Sequence, residues 1–198
     1  LEEKGFSYDV ITDHDLHKSG HELLKDYDVV LTGSHPEYWT SSMLDGLDQF
    51  MDDGGRLMYL GGNGFYWVTA VDPRRDHIIE VRRGYAGSRA WPSHVGELEL
   101  ASSGEIGGIW RHLGRSPNEL VGVGFAAQGW DLKTPGYKRL PASYEPNVQF
   151  ICKGVEGDEV IGDFGLVMSG AAGDELDRID FDMGTPPKAI RLATSEGM

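Results

Sequence analysis

Ser34-His35-Pro36-Glu37 places an imidazole and a carboxylate on either side of a proline, the pairing in this sequence best suited to chemistry. Proline fixes its own backbone angle and drives the preceding residue toward extended geometry, so His35 and Glu37 flank a rigid unit. Together they can ligate a metal, or one can take a proton while the other binds. Glu37 equally suits the N-terminus of a following helix, through the macrodipole, with His35 packing its neighbours. In Gly61-Gly62-Asn63-Gly64-Phe65, Asn63 stands where a strand-to-helix elbow would carry a nucleophile. An amide does not attack, but it donates and accepts, which suits holding a substrate carbonyl or a tetrahedral oxyanion. A left-handed turn is the other role open to it. Glu175, in Gly170-Ala171-Ala172-Gly173-Asp174-Glu175, can supply a general base or hydrogen-bond a ligating group, while Asp174 suits a helix cap.

Other reactive residue types read as structural. His14, His17 and His21 with Asp13 and Asp15 lack a closed zinc-type spacing, and cap or surface roles fit them better. Cys152 lies in the apolar run Val148 to Cys152, where a buried small hydrophobe is expected and a nucleophile is not. A Cys-dependent amidotransferase is thereby disfavoured. His77, His94 and His112 have no evident partners. Tyr38, Trp39, Phe65, Tyr66, Trp67, Trp91 and Trp130 can wall a dry pocket or simply fill a core.

The elements that must position these residues alternate in the first sixty or so positions. Phe6 to Thr12 and Tyr27 to Thr32 have strand character, Leu16 to Lys25 is helix-compatible, and Arg56 to Leu60 is a third apolar strand. The clearest helix follows Thr40, Ser41 or Ser42, with Met43, Leu44, Leu47, Phe50 and Met51 on one face and Gly54-Gly55 at its end. Strand, helix, strand, helix, strand implies βαβ units, hence a doubly wound, mostly parallel α/β sheet. Ligands bind outside the carboxyl ends of such strands, so the loops holding His35, Asn63 and Glu175 are expected along one sheet edge. Residues 72–145 read as a β-rich insertion within a single α/β domain spanning 1–198, and the runs at Val160 to Met168 and Ala189 to Leu192 as strands returning to the sheet.

Composition narrows the partners. Eighteen Lys and Arg against 32 Asp and Glu leave a net charge of −14, which repels a phosphate backbone and gains nothing from an anionic membrane surface. One cysteine makes no internal disulfide, and no signal-peptide pattern is visible, so a cytoplasmic location is expected. The start at Leu1 and the polar end at Ala193 to Met198 suggest part of a longer protein.

Long segments of the chain resemble the large (beta) subunit family of N,N-dimethylformamidase. They are Gly33-Ser34-His35-Pro36-Glu37-Tyr38-Trp39, the helix through Met43 to Phe50, Gly54 to Trp67, Leu120 to Phe125 with Ala127-Gln128-Gly129, and Gly170 to Arg178. The resemblance implies a fold similar to flavodoxins and class I glutamine amidotransferases. It implies an amidohydrolase that splits a small N-substituted formamide or amide into amine and carboxylate at a mononuclear iron held by two tyrosines and one glutamate. Glu37 matches the ligating glutamate, His35 and Asn63 match residues positioning the amide or its attacking water, and Glu175 the acidic residue near them. Arg82 or Arg83 corresponds to a basic pocket residue. The family's tyrosine ligands precede this region, so the 198 residues alone are expected to be metal-free and inactive. A small (alpha) subunit and a homo-oligomer are the partners implied. The alternative is a non-catalytic α/β module that binds a small ligand or a subunit on the same loops.

Overall fold

A computed structural model describes residues 1–84, 97–128, 135–164, 170–173 and 175–195. The chain divides into two compact units, one formed by 1–61 and 65–115, the other by 62–64 and 116–198.

In the first unit, Thr12 caps helix α1 (Asp13–Ser19) through a reciprocal capping box with Asp15, and Gly20 separates it from the single turn α2 (His21–Leu24). Strand β1 (Val29–Leu31) follows, then the short β2 (Tyr38–Trp39). Of the three capping candidates, Thr40 caps α3 (Ser41–Asp52), accepting from the Met43 N–H. His17 Nδ1 lies 2.9 Å from the same hydroxyl. The buried side chains of α3 are Met43, Leu44, Leu47 and Phe50, the stripe read from the sequence apart from Met51. Gly46 lets the helix approach the α1–α2 junction: a Cβ there would lie 2.7 Å from the Gly20 backbone. Strand β3 (Arg56–Met58) pairs in parallel with β1. Beyond the turn, β4 (Trp67–Asp72) pairs in parallel with β2 and in antiparallel with β5 (Arg75–Val81). Asp72 Oδ1 accepts from the Arg74 and Arg75 N–H groups and so closes the β4–β5 turn. Aromatics fill this core: Trp39 stacks on Phe65 with centroids 4.5 Å apart, and Trp110 Nε1 donates to the Trp39 carbonyl at 3.1 Å.

In the second unit, Ser116 caps α4 (Pro117–Val121), and β6 (Gly124–Gln128) pairs in antiparallel with β8 (Glu175–Arg178) across a bulge between Phe125 and Ala127. Strands β7 (Lys138–Arg139) and β9 (Ala193–Thr194) form a second antiparallel pair. Polar residues anchor these short strands. The buried Asn118 Nδ2 donates to the Arg178 carbonyl and to Thr185 Oγ1, each at 3.1 Å. Cys152 is buried, as read, though in a 3₁₀ turn (Gln149–Cys152).

The doubly wound parallel sheet similar to flavodoxins is not what forms. Among the described residues the strands belong to four small sheets: the parallel pair β1–β3, the mixed sheet β2–β4–β5, and the antiparallel pairs β6–β8 and β7–β9. Phe6 to Thr12 alternates like a strand but enters no sheet. Antiparallel hairpin geometry captures the chain after Trp67, because the tight Asp72 turn returns it directly alongside β4 with no crossover helix. Ala189 to Leu192 does not return to a parallel sheet; the neighbouring Ala193–Thr194 pairs antiparallel with β7. Of the Val160 to Met168 run, 165–169 lie outside the described residues, and Ile161 makes only an isolated antiparallel bridge with Tyr137.

Candidate functional site

Two polar clusters carry the residues singled out above, one in each unit. The first is built on Pro36. The Glu37 N–H donates to the His35 carbonyl at 2.9 Å, closing a γ-turn whose central position suits the fixed proline angle. The Glu37 carbonyl then accepts from the N–H groups of Tyr66 and Trp67, both at 2.9 Å, and the Pro36 carbonyl from Phe65 at 2.8 Å. Backbone pairing therefore fixes Glu37 before its side chain makes any contact. Its Oε1 accepts from Trp67 Nε1 at 2.8 Å, and His35 Nε2 lies 3.1 Å from Oε2. The Glu37 side chain is 14% exposed and that of His35 47%, so the carboxylate is sheltered while the imidazole meets solvent. Gly61 packs below this turn, since a Cβ there would sit 2.3 Å from the Ser34 carbonyl oxygen.

Tyr38 and Arg83 complete the cluster. The Arg83 guanidinium lies 4.9 Å from the centre of the Trp67 ring, a cation–π distance. Burial, then the Glu37 charge, push the Tyr38 phenol above its ordinary range, with Arg83 opposing. Arg82 is engaged elsewhere: its Nε donates to Glu80 Oε1 at 2.6 Å.

The second cluster surrounds Asn63, which is buried and adopts φ +50°. The left-handed turn weighed from the sequence is what forms, and in it the amide faces two carboxylates of the chain itself. The Asn63 N–H donates to Asp177 Oδ1 at 3.0 Å, and Nδ2 donates to Glu175 Oε1 at 3.3 Å. Gln128 Nε2 donates to that same Glu175 oxygen at 3.3 Å. The strand ladder explains the convergence. Gln128 stands opposite Glu175 in the β6–β8 register, and Glu175 and Asp177, two apart on β8, share a face. Tyr137 is pushed up by burial and, secondarily, by the Asp177 charge.

Glu175 was expected in a loop at the carboxyl edge of a parallel sheet; it is instead the first residue of an antiparallel strand. The single-edge argument falls with that sheet, and what remains is His35 with Glu37, and Asn63 with Glu175. Gln128 and Asp177 have no site role in the sequence reading, and Trp67, read there as pocket wall or core, also donates its indole N–H to Glu37. The alternation in Glu175-Leu176-Asp177 was the available signal for the first two's partner strand. His14 Nε2 lies 2.7 Å from the Asp76 carbonyl and His21 Nε2 2.9 Å from Asp53 Oδ2. Trp91, Trp130, His94 and Asp174 lie outside the described residues.

Among the described residues, no group of three or more His, Cys, Asp or Glu side chains is arranged to hold a metal. Glu37 nonetheless fits a single ligand. Its chemistry is that of a hard anionic oxygen donor, and the Trp67 and His35 contacts hold the carboxylate in place. No described helix is long and apolar enough to cross a membrane.

Residues 1–198 match the family model for N,N-dimethylformamidase beta subunit-like proteins, C-terminal region, and the chain belongs to that family. Its curated relatives include the N,N-dimethylformamidase beta subunit of Paracoccus aminophilus, 43% identical over 196 residues, and that of Alcaligenes sp, 44% identical over 196 residues. Each alignment covers 98% of this chain and 25% of the relative, so the chain spans about a quarter of the length of these relatives.

Proposed function

We propose that the protein containing this chain hydrolyses a small N-substituted formamide or related amide to an amine and a carboxylate, with one mononuclear iron. The carrying observation is that the four residues matched to the family's site form two hydrogen-bonded pairs, in a chain 43% identical to a named dimethylformamidase subunit. In this reading Glu37 supplies one iron ligand and the remaining ligands come from outside these residues. A hard cation needs several anionic oxygens, which a lone carboxylate does not provide. Bound iron supplies Lewis acidity toward an amide carbonyl or a water.

The chain's own residues divide the remaining work. Trp67 and the γ-turn hold the Glu37 carboxylate in one orientation. His35, adjacent to that carboxylate and open to solvent, carries a proton toward the leaving amine; Glu175 is the second candidate for that transfer. Asn63 holds the substrate amide through its side chain, with Gln128 and Asp177 fixing the surrounding carboxylate and backbone. An uncharged amide needs no electrostatic attraction, which agrees with the net charge of −14. The names of the relatives carry the words beta subunit, which supports a second subunit as partner; its smaller size and a homo-oligomer belong to the proposal from the resemblance alone.

Glu37→Gln in the full-length protein tests the assignment. Loss of iron by elemental analysis, together with loss of amide hydrolysis, is the expected outcome; retained metal and turnover would overturn it.

A further inference from the structure

Strands β1 and β3 form an isolated parallel pair in the first unit, in the register Val29↔Arg56, Val30↔Leu57 and Leu31↔Met58. Paired residues share a face of a sheet and successive ones alternate, so Val29, Arg56, Leu31 and Met58 lie on one face. That face is open: Val29 is 37% exposed, Leu31 40% and Met58 46%, whereas Val30 and Leu57 on the other face are more covered. Leu60, just beyond β3, is exposed too. Parallel sheets are almost always covered on both faces, and a bare row of valine, leucine and methionine, with Arg56 at one end, lacks the cover such strands require. The extended stretch before α1 adds to the deficit. Phe6, Tyr8 and Val10 are all exposed, and Asp9 ties the stretch to the approach of β1 by accepting from the Tyr27 hydroxyl at 2.7 Å.

We infer that this face is a docking surface for an apolar segment of the same polypeptide, N-terminal to the region described. Two observations select that occupant. The family model describes a C-terminal region, and the aligned residues cover 25% of each relative, so three quarters of such a polypeptide lies outside the match. A tethered segment binds at high effective concentration, so a patch of a few side chains is enough to hold it. The inference is independent of the amide-hydrolase reading.

The test uses the full-length protein with a benzophenone coupled at Leu31→Cys and, separately, at Met58→Cys, followed by irradiation and peptide mapping. Cross-links from both positions to one segment N-terminal to Leu1 in the same polypeptide are expected. Thiol labelling at these positions should also be at least tenfold slower in the native protein than after denaturation. Cross-links to a second copy or to a different subunit would overturn the inference. So would labelling at the denatured rate with no cross-link. Should one variant fail to fold, the other reads the same face.

Discussion

Asn63 is the residue whose two possible roles separate most cleanly by substitution. Its φ of +50° costs an ordinary side chain roughly 1–2 kcal/mol and glycine little, so Asn63→Ala loses stability while Asn63→Gly keeps the turn. Both remove the amide that reaches Glu175. If the amide holds substrate, both variants of the full-length protein lose on the order of 100-fold in kcat, as with removal of one positioned donor. Full activity in Asn63→Gly would reduce the residue to a turn former. Glu80 offers a pH signature unrelated to the site. Burial raises its pKa, but Arg82, the Ala101 and Ser102 N–H groups and the Ser102 hydroxyl together outweigh that and hold it at about 2, against an ordinary 4.5. A depressed carboxylate contributes stability that is complete above its unfolded pKa and is lost as pH falls through the folded value. The deficit of Glu80→Gln, about 2 kcal/mol for lost charge-assisted bonds, should therefore be full above pH 4.5 and fade toward pH 2 in urea titrations. A deficit unchanged across that window would mean the charge is not what matters.

Helix α3 governs the first unit because its packing is set on two sides. Its apolar stripe is buried around Leu47, and its small residue Gly46 abuts the chain at Gly20 and His21. Gly46→Ala would raise intrinsic helix propensity by about 1 kcal/mol, yet its Cβ would meet backbone at 2.7 Å, where no flexible side chain can yield. Overpacking is expected to win, with a net loss of about 1–3 kcal/mol in thermal or urea unfolding. A stabilised variant would show that α3 can shift away from the α1–α2 junction. The strands behave differently. Each is short, and their pairing depends on side-chain anchors such as Asp72 at the β4–β5 turn and Asn118 beside β6 and β8, not on long apolar runs. That is why Arg56 to Leu60 was legible as a strand from its run of apolar residues, whereas the direction in which later strands pair was not.

For the molecule as a whole, the proposal gives these residues a single iron ligand, Glu37, and takes the others from outside them, and one carboxylate does not hold a hard cation. The isolated 198 residues should therefore carry no stoichiometric iron and hydrolyse no amide; elemental analysis finding one iron per chain would contradict this. Local order made much of the chain readable in advance. The Thr40 cap, the stripe from Met43 to Phe50, the glycine-flanked Asn63 and the rigid His35-Pro36-Glu37 turn are written in residues close in sequence, where propensity and covalent geometry act directly. Family membership was legible for a similar reason, because long continuous segments preserve it. Pairing between distant segments was not legible. Phe6 to Thr12 alternates like a strand, yet an alternating pattern names no partner, and in this structure it has none in a sheet. Glu175 meets Gln128 only because antiparallel register places them opposite, and Glu37 meets the Trp67 indole only because β2 lies beside β4. The sequence by itself determined which residues have the chemistry and the local turns that present them. Tertiary structure alone decided which of them share a hydrogen bond, since that depends on the register of strands distant in sequence, such as β6 with β8, a property of the chain's packing and of no local run.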